Sequence, residues 1–182
     1  MATWPQQPVE FSRLVPLERI GQRDIVEEIA ASAEERAGLA KRFGLLALDR
    51  LTASLRLRRC GGRGLVRVSG RFAAEVTQAC VVSLEPVKSY LEESFSQLYT
   101  FAPLETADHA DFIDLEAEDP PEPAGPGGIE LGEAVAQQLA LALDPYPRAP
   151  GAKLAGGSSG GAQEGPERHS PFAVLRGLKR GE

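Results

Sequence analysis

Leu51-Thr52-Ala53-Ser54-Leu55-Arg56-Leu57-Arg58 and Val66-Arg67-Val68-Ser69-Gly70-Arg71-Phe72-Ala73-Ala74-Glu75-Val76-Thr77 decide the fold. In the first run Leu51, Ala53, Leu55 and Leu57 alternate with Thr52, Ser54, Arg56 and Arg58. In the second, Val66, Val68, Gly70, Phe72, Ala74 and Val76 alternate with Arg67, Ser69, Arg71, Glu75 and Thr77. A period of two puts one set on each face of a strand. Between the runs lies Cys60-Gly61-Gly62-Arg63-Gly64. Two alternating runs around Gly-Gly predict a β-hairpin over residues 48–77. With Gly61-Gly62 as a two-residue turn, Leu57 faces Val66, Leu55 faces Val68 and Leu51 faces Phe72. The other face then pairs Arg56 with Arg67 and Thr52 with Arg71. One face is apolar and the other carries arginine.

Working outward, residues 9–17 read as a strand, with Val9, Phe11, Val15 and Leu17 in one parity and Arg13 as the exception. A short extended piece is expected around residues 24–29. Residues 32–44 read as a helix. Ser32 and Glu35 form a capping box and Gly44 suits the residue after the last turn. Leu39 and Phe43 point at the core, with Arg36 and Lys41 in solvent. In residues 87–101, Val87, Leu91, Phe95, Tyr99 and Phe101 fit either a strand or a helix. Pro86 and the β-formers that follow favour a long strand. A second helix spans residues 129–143, with Leu131, Val135, Leu139, Ala142 and Leu143 as its apolar stripe and Glu130 and Glu133 at its positive end.

Residues 103–128 carry Glu105, Asp108, Asp111, Asp114, Glu116, Glu118, Asp119 and Glu122 with no Lys or Arg. They read as a flexible acidic loop, in which Phe112-Ile113-Asp114-Leu115 could dock as a short strand. The Gly/Ser/Ala-rich stretch that follows the second helix reads as a disordered linker. Beyond it Phe172, Leu175 and Leu178 recur at helical spacing and suggest a short docking segment. The expected organisation is one α+β domain over residues 1–146, a linker over 147–171 and a partner-binding segment over 172–182. The fold class is a mostly antiparallel curved sheet or partly open barrel, with helices at 33–43 and 130–143 packed against it.

The 182-residue chain is 42% hydrophobic but only 6% aromatic, so its core is mostly Leu, Val and Ala. A formal charge of −6 makes no global case for nucleic-acid or membrane binding. The N-terminus lacks a basic and an apolar region, and no apolar run approaches the roughly 18–20 residues that span a bilayer. A soluble, cytoplasmic protein without membrane partners is expected. Cys60 and Cys80 are the only cysteines and read as free thiols. His109 and His169 fall in the acidic loop and the linker, where neither is held rigidly enough for general-base work. Cys60-Gly61-Gly62-Arg63-Gly64 lacks the ending of a phosphate loop, the loop acids lack calcium-loop spacing, and zinc would want four ligands. No catalytic residue, metal or cofactor is therefore expected, and a nuclease using the loop carboxylates with magnesium is the weakest reading.

The arginines point elsewhere. Arg56, Arg58, Arg63, Arg67 and Arg71 crowd a segment in which Asp49 is the only acid between residues 49 and 72. Like charges opposed across a ladder destabilise it by up to about 1 kcal/mol per pair. Three readings stand: a solvated face, a face for RNA phosphates, for which guanidinium forks suit bidentate contacts, and a face covered by the chain's own acidic loop.

Gly70-Arg71-Phe72, then Cys80-Val81-Val82-Ser83-Leu84-Glu85-Pro86-Val87, resembles the central signature of the bacterial YceD family. Ile129-Glu130-Leu131-Gly132-Glu133 with its Leu-rich helix resembles the family's I-D-L-G-E segment, and Pro171-Phe172-Ala173-Val174-Leu175 with Leu178-Lys179 resembles its closing P-F-A-x-L-x-x-L-K. Ser83 stands where many members have a second cysteine, and Val82 where they have arginine. The resemblance implies a part in accumulation, processing or stability of 23S ribosomal RNA and no established catalytic activity, which with the lack of a catalytic constellation leads to the expectation of a non-enzymatic factor. The implied partner is ribosomal RNA or a pre-large-subunit particle. The alternative is an adaptor whose acidic loop binds a basic ribosomal protein without touching RNA.

Overall fold

The computed structural model describes residues 9–21, 23–60, 64–101, 120–125 and 127–153. The elements run β1 (Leu14–Val15), a 3-10 turn (Leu17–Arg19), β2 (Ile25–Ala30), α1 (Ala33–Phe43), β3 (Ala47–Cys60), β4 (Leu65–Ala79), β5 (Pro86–Thr100), β6 (Glu122–Pro123), β7 (Ile129–Glu130) and α2 (Leu131–Ala142). One sheet has the order β2-β3-β4-β5-β6, and β1 pairs with β7. All pairings in the larger sheet are antiparallel except β5 with β6. The ends of that order do not meet, so the sheet is open. This is the expected α+β class.

The hairpin forms, with a different register. Cys60 pairs with Leu65, so four residues separate the strands rather than two. Leu57 accordingly faces Val68, Leu55 faces Gly70 and Leu51 faces Ala74. Arg56 faces Ser69, Ser54 faces Arg71, and the opposed arginines are Arg58 and Arg67. The shift is two residues, so every side chain keeps its face. A bulge between Leu48 and Arg50 turns Leu48 inward alongside Leu51 despite their odd separation.

Leu51, Leu55, Leu57, Val66, Val68, Phe72 and Val76 are buried in one cluster with Leu39 of α1 and Leu131, Val135 and Leu139 of α2. Both helices therefore lie on the apolar face. Helix α1 matches its punctuation. Ser32 Oγ accepts from Glu35 N, Glu35 Oε2 accepts from Ser32 N, and Gly44 adopts a left-handed φ of 66°. Arg36 is half-buried and donates to Ala31 O, whereas Lys41 is exposed. β5 is a strand throughout.

The expected strand over residues 9–17 shrinks to Leu14–Val15. The reason is where its hydrogen bonds go. Arg13 N donates to Glu130 Oε2 at 3.0 Å, a side chain in place of a ladder partner, and Leu131 N donates to Arg13 O. Pro16 then starts the 3-10 turn. Phe11 and Val15 are still buried. Arg13, the break in the alternation, pairs with Glu35 and lies over the Phe11 ring at 4.8 Å.

Part of the expected acidic loop joins the sheet. Residues 102–119, with Phe112 to Leu115, lie outside the described residues. Glu122 and Pro123, however, pair with Tyr99 and Thr100, Ala124 N donates to Thr100 O, and Gly125 bridges Gly128. Pro123 is tolerated because the strand is an edge. Residues 147–152 pack with the domain rather than beginning a linker at 147. The docking segment with Phe172, Leu175 and Leu178 lies outside the described residues.

Gly132 shows how tightly the N-terminal segment is seated. A Cβ there would lie 2.1 Å from the Phe11 carbonyl oxygen and 2.8 Å from its carbon, both backbone atoms. Gly132→Ala should lower the denaturant midpoint by the equivalent of about 1–3 kcal/mol, the usual cost of overpacking. An unchanged urea midpoint would show that the segment is not held there.

Candidate nucleic-acid interface

With both helices on one face of the sheet, the other face is left to solvent among the described residues. Strand pairing arranges it in rows. Val26, Arg56, Ser69 and Ser96 form one, and Glu28, Ser54, Arg71 and Ser94 the next. Arg58 and Arg67 head the face nearer the hairpin turn. Between Arg56 and Arg71 lies a depression of about 370 Å³ floored by Ser54, Ser69, Gly70 and Ser94, with Val26 at its rim. The small side chains of Ser54, Ser69 and Ser94 leave this shallow space between the arginines unfilled. Gly70 itself is required by contact: a Cβ would stand 2.3 Å from Ser54 O.

The arginines are not without acids. Asp24, just before β2, meets Arg58 Nε at 3.2 Å with Oδ1 and Arg56 Nη1 at 4.0 Å with Oδ2. Glu92 approaches Arg71 Nη1 at 3.9 Å. These pairs are exposed, and such pairs contribute about 0–1 kcal/mol each. Of the expected interface residues, Arg56, Arg58, Arg67 and Arg71 share this face, and Arg63 lies outside the described residues. The expected opposition of Arg56 to Arg67 is replaced by Arg58 to Arg67 because of the longer turn. Sequence reading missed Asp24, Glu92 and the serine floor. Asp24 could be placed beside Arg58 only by knowing that Ile25 pairs with Leu57.

A second depression of about 380 Å³ lies between the end of β5, β6 and α2 and is lined by Tyr99, Glu122, Glu130 and Glu133 among others. Burial first, then Glu122 and Glu133, pushes the Tyr99 phenol up to about 12. Its acidic lining is the wrong sign for a nucleic acid. Among the described residues no group of three or more His, Cys, Asp or Glu could hold a metal ion.

The signature residues do structural work. Glu130 accepts from Ser12 Oγ and Arg13 N, Leu131 is buried, and Glu133 pairs with Arg42 at 2.7 Å. Cys80 is fully buried, and its Sγ accepts from Ser83 N and Ala149 N at 3.3 Å and from Val82 N at 3.4 Å. Cys80 N donates to Glu85 O and Leu84 N to Cys80 O. These bonds hold Leu84 at a left-handed φ of 62°, a conformation that strains a non-glycine residue.

The model of the family described as "Large ribosomal RNA subunit accumulation protein YceD" matches residues 68–179, more than half of the chain. The chain belongs to the YceD family. No curated protein and no solved structure matches it. YceD membership ties the chain to accumulation of the large ribosomal RNA subunit. The match begins within β4 and takes in the Cys80 turn, β5 and α2. No helix among the described residues is long and apolar enough to cross a membrane.

The Cys80 turn makes a pH-dependent prediction. The Ala149 amide first, then Ser83 and Val82, favour the thiolate over burial and bring the thiol from 9.0 to about 6. Between those values the unfolded chain holds the proton more tightly, so stability rises with pH. The gain is complete above 9 and is lost as pH falls through about 6. Under reducing conditions the urea midpoint of the native chain should exceed that of Cys80→Ser by more at pH 9 than at pH 6. An equal gap at both would contradict the account.

Proposed function

We propose that this YceD protein supports accumulation of large-subunit ribosomal RNA by binding it, without catalysis, through the uncovered face of its sheet. The observation that carries this reading is the grouping of Arg56, Arg58, Arg67 and Arg71 on that face, around a depression with a hydroxyl floor. Guanidinium groups hold phosphate oxygens in pairs, and the sheet spaces them rigidly. Cys80 is shut away from solvent, which supports a structural part for this thiol. A cytoplasmic site of action follows from a ribosomal partner.

Each phosphate neutralised contributes about 0.7–0.9 to the slope of log affinity against log salt. Replacing Arg56, Arg67 and Arg71 together by Glu should therefore weaken association with precursor ribosomal RNA and flatten that slope by about 2–3. Circular dichroism should show the fold retained. Unchanged association in a salt-controlled pull-down would sink the proposal.

Asp24 and Glu92 already meet Arg58 and Arg71 on this face, and the eight acids without Lys or Arg in residues 103–128 favour a second reading, an adaptor that takes a basic ribosomal protein on that stretch. Neutralising Asp108, Asp111, Asp114, Glu116, Glu118 and Asp119 to Asn and Gln separates the two. Only the adaptor should lose its partner in co-purification.

A further inference from the structure

We propose that Asp24 stands where an RNA backbone phosphate binds, so that the interface carries its own competitor between Arg56 and Arg58. This rests on the RNA-binding reading and gives it a defined first contact.

The geometry is that of one anion shared by two cations. Asp24 Oδ1 lies 3.2 Å from Arg58 Nε, and Oδ2 lies 4.0 Å from Arg56 Nη1. A phosphodiester resembles a carboxylate in the respects that matter here. Each spreads one negative charge over two terminal oxygens and accepts from two guanidinium groups at once. Arg56 and Arg58 are successive residues of one parity on β3, so their heads are held on one side of the sheet about 6.8 Å apart at the backbone.

Exchange is easy at this place. The side chains of Arg56 and Arg58 are 63% and 68% exposed and that of Asp24 is 31% exposed. Asp24 precedes β2 and is not held by a ladder pair, so it can turn away without breaking the sheet. Beyond Arg56 the depression leads to Arg71, and its lining holds no aromatic side chain. Within the depression a base finds no ring to stack on, so the chemistry recognised there is the charged backbone.

The test uses the full chain and a fluorescein-labelled RNA oligonucleotide taken from large-subunit ribosomal RNA, read by anisotropy across a salt series. Asp24→Asn keeps the shape and removes the charge. It should tighten binding three- to tenfold at low salt. Glu28→Gln removes a charge from the same face without freeing this pair and should give less. The gain from Asp24→Asn should vanish when Arg56 and Arg58 are both Gln. Equal affinity of the native chain and Asp24→Asn would overturn the inference. So would an equal gain from Glu28→Gln, or a gain that survives loss of both arginines. In those cases the RNA-binding reading would stand as long as RNA is bound. No RNA binding by either the native chain or Asp24→Asn would instead remove the RNA-binding reading itself.

Discussion

Arg13 Nη1 and Nη2 meet the two oxygens of Glu35 at 2.7 and 3.0 Å, and the same Glu35 closes the capping box of α1. Arg13 also donates to Ala30 O at the end of β2, and Glu130 receives its backbone N–H. One residue thus joins the start of α1, the end of β2 and the start of α2. The hydrogen bond from Arg13 is the main reason the Glu35 carboxyl lies below its ordinary range. A second arginine repeats the device nearby: Arg42 reaches Glu10 and Glu133. Together these pairs fasten the N-terminal segment between the helices and keep both helices on one face of the sheet.

That arrangement assigns the two faces their work. The covered face holds the core. The other face, left to solvent among the described residues, carries charge there without desolvating its arginines. The YceD signatures fall on the scaffold more than on the arginines. Gly132 admits the Phe11 carbonyl, Glu130 and Glu133 hold the N-terminal segment and Arg42, and Cys80 ties its turn to residues 147–149. Arg71 of the central signature stands on the exposed face. A family motif here marks what positions the surface, and the surface is supplied largely by alternation in β3 and β4.

What could be read from the sequence was what local chemistry decides. Ser32, Glu35 and Gly44 are near neighbours, and the helix began and ended where they said. The faces of β3 and β4 followed from period two. Register did not, because Gly61-Gly62 suited a two-residue turn that would pair Cys60 with Arg63, whereas Cys60 pairs with Leu65. The segment at residues 9–17 failed as a strand because its partner is a carboxylate 117 positions away. Asp24 and Arg58, 34 positions apart, could not be joined without knowing that β2 lies beside β3. The acidic composition of residues 103–128 hid the pairing of Glu122 and Pro123, which rests on two residues at the end of β5.

The two-residue difference in register has a wider meaning for how such a surface can change. Which face a side chain occupies depends only on whether its distance from the turn is odd or even. When the pairing of β3 with β4 shifts by an even number of residues, Arg56, Arg58, Arg67 and Arg71 stay outward and Leu51, Leu55 and Leu57 inward. A single inserted residue within β3 would invert the rest of the strand, driving guanidinium groups into the core. The bulge between Leu48 and Arg50 shows the remedy already present, an extra residue that absorbs one step and restores the parity of Leu48. A change of register in this hairpin is therefore expected to come in even steps, or in odd steps accompanied by a bulge.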